Sequence, residues 1–195
     1  MKVVQAILDD ADNIARIHYN NFKNAFLCSL GLDFLKLLYN WILKANEGFG
    51  YIIKDNKNAY GFITGVYDSS GLISLFIKKN FNKAMPILVL GCIRKPKNIE
   101  KMFETVLYSK KSDVNIKAEL LSIAIEKSLR EKGYGNKLFS CFIRNLKRKG
   151  IKIFKITVNR NNITANKFYI KCGCELVGTY KMYGKFSNIY KYEIK

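Results

Sequence analysis

The sequence predicts one mixed α/β domain, and three observations carry that reading. Short apolar or alternating runs take turns with stretches of helical spacing, giving about seven strands interleaved with helices. Residues 118–138 join a short apolar strand to a helix through a glycine-bearing turn. The length of 195 residues, 49% hydrophobic and 25% charged, is enough to bury a core without disulfide staples.

In order, residues 2–7 form a first strand. Asp9, Asp10 and Asp12 offer caps for the helix that follows, which turns Ile14, Ile17 and Phe22 inward. A second helix covers 32–45 on a stripe of Phe34, Leu37, Leu38, Trp41 and Ile42. Gly48 and Gly50 break that pattern. Residues 51–54 and 60–67 then make a hairpin turned by Asp55, Asn56, Lys57 and Asn58. Residues 71–116 read as an insertion of short helices. Ile73, Phe76 and Phe81 are apolar there, Pro86 interrupts an apolar run over 84–93, and Pro96 and Asn98 open another helix through Tyr108. Its flanking Lys78, Lys79, Lys83, Arg94, Lys95 and Lys97 suit a membrane surface, but such runs more often pack as core or close a site. Residues 120–125 are a buried strand, and Leu138, Phe142 and Leu146 recur at helical spacing until Gly150. Residues 151–158 alternate as a strand, and a helix over 162–171 stops at Gly173. Two strands, 174–182 and 188–194, close the chain around Tyr183, Gly184, Lys185, Phe186 and Ser187.

No apolar run reaches the roughly 20 residues that span a bilayer, and the first residues lack the layout of a signal peptide. Five cysteines without a framework spacing point to a reduced, cytoplasmic protein. Cys172 and Cys174 have only His18 to join them, so no metal site is expected. The net charge of +19 is spread along the chain as composition, with a preference for anionic ligands as the main alternative. Nucleic acid is not an expected partner, because there is no basic tail and no basic helix interleaved with aromatics.

The turn after the buried strand carries Arg130, Gly133 and Gly135 into a helix N-terminus, where free backbone N–H groups bind anions, phosphates above all. A dinucleotide site needs a third glycine where Leu138 stands, and an acid some twenty residues on, where Lys155 and Ile156 lie. The Gly-Lys-Ser/Thr of a mononucleotide loop is missing too. A pyrophosphate held by backbone N–H groups and one or two cations, without a metal, fits what remains.

Arg130-Glu131-Lys132-Gly133-Tyr134-Gly135 resembles the Arg/Gln-x-x-Gly-x-Gly/Ala signature of the GNAT superfamily of acetyl-CoA-dependent N-acetyltransferases. The preceding strand, the following helix, the 151–158 strand and the helix bearing Asn162, Ala165, Tyr169 and Gly173 occur in that family's order and spacing. The match is specific over 117–180 and looser over 1–68. The 71–116 insertion departs from the family's short connection, and Cys174 replaces a frequent phenylalanine. The resemblance implies a single domain over 1–195: a mostly antiparallel twisted sheet of about seven strands flanked by helices, with a helical insertion before the central strand.

It also implies the chemistry, acetyl transfer from acetyl-CoA to an amine by direct attack in a ternary complex. The pyrophosphate would lie on Arg130, Glu131, Lys132, Gly133, Tyr134, Gly135 and Asn136, each charge-assisted bond contributing roughly 1.5–3 kcal/mol. The backbone of Ile123, Ala124 and Ile125 would meet the acetyl carbonyl and pantetheine arm. Asn162 and Ala165 share a helix face with Tyr169, and Asn162 would bond the arm, cap its own helix, or both. Tyr169, a phenol of pKa about 10, would protonate the leaving thiolate. Glu119, the lone carboxylate at the start of the apolar strand, is the candidate base, its pKa raised by partial burial. The expected acceptor is a small amine such as an amino sugar or nucleotide-linked amino sugar, an anionic carrier suiting the positive charge. A protein amine, or a non-catalytic acyl-CoA-sensing or nucleic-acid-binding role on the same fold, are the competing functions. A homodimer stays open.

Overall fold

The computed structural model describes residues 1–23, 25–46, 48–96, 100, 101, 104 and 115–195. In chain order the elements are β1 (Lys2–Gln5), α1 (Ala11–Asn21), α2 (Phe26–Ser29), α3 (Leu32–Lys44), β2 (Gly48–Lys54), β3 (Ala59–Val66), α4 (Leu72–Lys79) and α5 (Phe81–Arg94). Then follow β4 (Glu119–Ile125), α6 (Tyr134–Arg148), β5 (Ile153–Asn159), α7 (Ile163–Lys171), β6 (Glu175–Met182) and β7 (Lys185–Glu193). Short 3-10 turns lie at Leu8–Asp10 and Lys127–Leu129.

The strands form one sheet in the order β1-β2-β3-β4-β5-β7-β6, antiparallel except for β4 against β5. Strand alternation divides the core. Ile52, Phe62 and Ala124 face α1, α3, α4 and α5, whereas Ile53, Ile63, Leu120, Phe154 and Ile156 face α6 and α7. The insertion helices seat their inner face on the first layer: Phe76 meets Phe34 and Trp41 edge-on, and Ala84 and Leu88 are buried beside them.

The larger differences from the sequence expectation have local reasons. The strand at the N-terminus ends at Gln5 rather than residue 7, because the Ile7 N–H is taken by the Asp10 carboxylate at 3.0 Å. The helix ends ahead of Gly48 and Gly50 as expected, but β2 begins at Gly48 rather than residue 51, so both glycines lie inside the strand. A Cβ on Gly48 would stand 2.0 Å from the Ile42 carbonyl oxygen, so glycine there admits the end of α3 against the sheet. The last hairpin turns on two residues, Tyr183 (φ 54°) and Gly184 (φ 71°), so β7 begins at Lys185 instead of 188. The single turn of α2 is too short to leave a periodic signal. The helix expected from Pro96 to Tyr108 lies, apart from 96, 100, 101 and 104, outside the described residues.

Candidate active site

The site starts where β4 parts from β5. Their parallel pairing consists of Glu119 with Lys155 and Leu120 with Ile156. On the other edge, β4 stays paired to β3 as far as Ile125, through a bulge that leaves Leu121 without a register partner between Thr64–Ser122 and Gly65–Leu120. Such a bulge bends its strand and increases the local twist. Beyond Leu120, then, β4 presents to β5 an edge without register partners, and the two strands diverge. Ile123, Ala124 and Ile125 lie along that open edge, the isoleucines packed toward α6 and Ala124 toward α1 and α3.

Past Ile125 the chain makes its 3-10 turn and enters the loop of the glycine motif. Two of its residues take left-handed backbone, Glu131 at φ 64° and Gly133 at φ 78°. Gly133 is the N-cap of α6, no side chain caps it, and the first helical turn has no acid. The opening N–H groups of α6 are therefore left for an anion. Gly135 serves a different purpose. A Cβ there would come within 3.2 Å of Phe168 on α7 and 3.7 Å of Ile125, so the glycine lets α6, α7 and the end of β4 converge.

Arg130 is exposed and anchored at both ends of its guanidinium: Nε donates to the Ile125 carbonyl at 3.1 Å and an Nη to Asn21 Oδ1 at 2.8 Å. It thus ties the loop to β4 and to the last turn of α1. Around it, Glu131 and Lys132 are exposed, Lys137 lies 5.1 Å over the Tyr134 ring, and Asn136 Oδ1 is 3.9 Å from the Cys172 thiol.

On α7, Asn162 caps its own helix, its Oδ1 accepting from the Ala165 N–H at 3.2 Å. Tyr169 is buried among Phe139, Phe168 and Tyr190. Burial, with Cys174 and Cys172 adding to it, raises its hydroxyl well above the usual phenol range, so it stays protonated.

Sequence reading missed Asn166. It is buried, donates to the carbonyls of Asn159 at 3.0 Å and Asn162 at 2.7 Å, and accepts from Asn188 at 2.8 Å and from the Tyr190 hydroxyl at 2.9 Å. That network fastens α7 to β5 and β7 and so sets the far wall of the divergence. The available signal was an asparagine mid-helix, one turn after the cap, where its side chain must find backbone partners.

Glu119 sits apart from these groups, at the closed end of β4. Six positions ahead of Ile125, it lies about 20 Å along the strand from that residue, and the glycine loop follows beyond that end. It is 5% exposed, and its carboxylate is 3.7 Å from the equally buried Lys155 ammonium. The expectation of a lone, partly buried acid is corrected to a fully buried ion pair.

The β6–β7 turn reaches α2 and the insertion: the Tyr183 ring lies 5.1 Å from Phe26, and its N–H donates to the Glu104 carboxylate. Among the described residues no cluster of three potential metal ligands occurs, and no helix is long and apolar enough to cross a membrane.

Residues 88–174 match the sequence model of the acetyltransferase (GNAT) family. An N-acetyltransferase from Staphylococcus aureus Mu50 is similar in structure, at 16% identity over the whole of both chains with a TM-score of 0.63. So is a GNAT-family acetyltransferase from Streptococcus pneumoniae, at 14% identity over 100% of this chain and 99% of that one, with a TM-score of 0.60. A protein from Bacillus anthracis, provisionally described as a streptothricin acetyltransferase and solved with acetyl coenzyme A, aligns with 80% of this chain and 67% of its own. Its identity is 16% and its TM-score 0.51. Among curated proteins no sequence matches.

Proposed function

We propose that this chain, whose residues 88–174 match the GNAT acetyltransferase family model and whose fold is similar to that of acetyltransferases, carries out direct acetyl transfer from acetyl-CoA to a small primary amine. The observation that supports it most is the divergence of β4 from β5 beside the uncapped start of α6. An extended pantetheine arm needs backbone partners along one edge, and a pyrophosphate needs N–H groups at one end. Residues 121–125 and 133–136 offer these in sequence.

In this reading Arg130, Lys132 and the N–H groups from Gly133 to Asn136 hold the pyrophosphate, with Glu131 and Tyr134 shaping the loop. Ile123, Ala124 and Ile125 bond the arm and the acetyl carbonyl through their backbone, and Asn162 and Ala165 line the opposite side. The amine nitrogen attacks the thioester carbon, a C–N bond forms and the C–S bond breaks. The thiolate takes the Tyr169 proton, the phenol being in its protonated form at neutral pH. The amine gives up its proton through water toward the Glu119 carboxylate, which Lys155 neighbours at 3.7 Å, and the Tyr169 phenolate regains a proton as the products leave.

A small acceptor, such as an amino sugar or nucleotide-linked amino sugar, agrees with the net charge of +19 and with the β6–β7 turn bonded to the insertion. The test is release of free thiol from acetyl-CoA across amino sugars, sugar nucleotides, polyamines and peptides. Turnover with an anionic amino sugar is expected. Turnover with peptides alone would move the acceptor to proteins. Tight acetyl-CoA binding without thiol release from any amine would leave an acyl-CoA sensor instead.

A further inference from the structure

The α4–α5 hairpin is apolar on two sides. Inward, Phe76, Ala84, Leu88 and Gly91 are buried, Gly91 so close to Leu30 that a Cβ would lie 3.1 Å from it. Outward on α5, Val89, Leu90 and Ile93 fall on the face opposite Ala84, Leu88 and Gly91. Their exposures are 50%, 45% and 72%, and Phe81 at the start of α5 is 56% exposed. Pro86, exposed on the same outward side, removes one backbone donor from this face. Basic residues border it: Lys78, Lys79, Lys83, Arg94 and Lys95 are all exposed, and residues 69–96 contain no aspartate or glutamate.

We propose that this hairpin docks on an anionic lipid surface, with Val89, Leu90 and Ile93 dipping into the headgroup boundary and the basic residues meeting lipid phosphates. A helix with an outward apolar stripe rimmed by cations is what such a boundary selects. Charge decides the occupant. A second copy, docked face to face, would set this acid-free basic hairpin against its own like charges, whereas an anionic membrane neutralises them. The proposal is independent of acetyl transfer.

Cosedimentation of the whole protein with vesicles tests it, using phosphatidylcholine alone and phosphatidylcholine with phosphatidylglycerol. Binding is expected only with phosphatidylglycerol. Val89→Ser/Leu90→Ser/Ile93→Ser should weaken it about tenfold or more. Folding of that variant is checked by circular dichroism and its melting midpoint, which exposed substitutions leave nearly unchanged. Lys78→Gln/Lys79→Gln/Lys83→Gln should weaken binding more than the equal charge loss in Arg148→Gln/Lys152→Gln/Lys195→Gln. Absence of binding to anionic vesicles overturns the proposal. So does undiminished binding of the folded serine variant, which would make the effect mere adsorption by net charge. Self-association in the ultracentrifuge that the serine variant abolishes overturns it as well, in favour of a second copy.

Discussion

Tyr169 and Arg130 make separable predictions. Removing the Tyr169 hydroxyl deletes the proposed proton donor and leaves the ring packed between Phe139 and Tyr190. Tyr169→Phe should therefore lose roughly 100-fold or more in kcat, with acetyl-CoA affinity nearly unchanged. Full turnover at saturating donor would end the assignment. Arg130→Ala should instead weaken acetyl-CoA in calorimetry by roughly 1.5–3 kcal/mol, about ten- to a hundred-fold. His18 gives a stability prediction of its own. It is buried, shares a 2.6 Å hydrogen bond with the Tyr39 hydroxyl, and burial lowers its pKa from 6.5 to about 4. The unfolded chain thus takes up a proton that the folded chain refuses. Stability is complete above about pH 6.5 and is lost as pH falls toward 4, by on the order of 3 kcal/mol. Urea unfolding of the wild type and His18→Gln at falling pH measures this, and an equally steep decline in the variant would place its source elsewhere.

At the scale of elements, strand β4 holds two different sites. Its N-terminal end is locked to β5 by the Glu119–Lys155 pair; its C-terminal end is free of β5. Breaking a buried ion pair by removing one partner leaves an uncompensated charge, a cost of about 3–5 kcal/mol. Glu119→Gln should accordingly unfold at lower urea, and this alone would not separate a base from a brace. The paired variant Glu119→Gln/Lys155→Met does separate them. Stability restored without turnover favours proton acceptance by Glu119; recovery of both leaves it a structural ion. The strand, the glycine loop and α6 were legible because short apolar runs, left-handed turns and helical spacing are local properties. That Glu119 has Lys155 as a partner was not legible, since 35 positions separate them in sequence and only the parallel register joins them.

For the whole molecule the net charge of +19 is the dominant long-range term. Like charges repel most in the compact state, and salt screens that repulsion within about 10 Å at 0.1 M. The melting midpoint should rise as sodium chloride is increased at neutral pH. A midpoint falling with salt would mean that ion pairs such as Lys54–Asp10, at 2.6 Å, outweigh the repulsion.

The sequence alone determined which segments are strands, where the glycines force a turn, and which helix carries Asn162 and Tyr169. These follow from hydrophobic period and backbone sterics, which act between near neighbours. The tertiary structure decided that β4 and β5 pair at one end and part at the other, that Asn166 clamps α7 to β5 and β7, and that Arg130 reaches Asn21. It also turned Val89, Leu90 and Ile93 outward while their neighbours sank into the α3 layer. An apolar helix records in its sequence that it will bury a face, but the layer it meets chooses which.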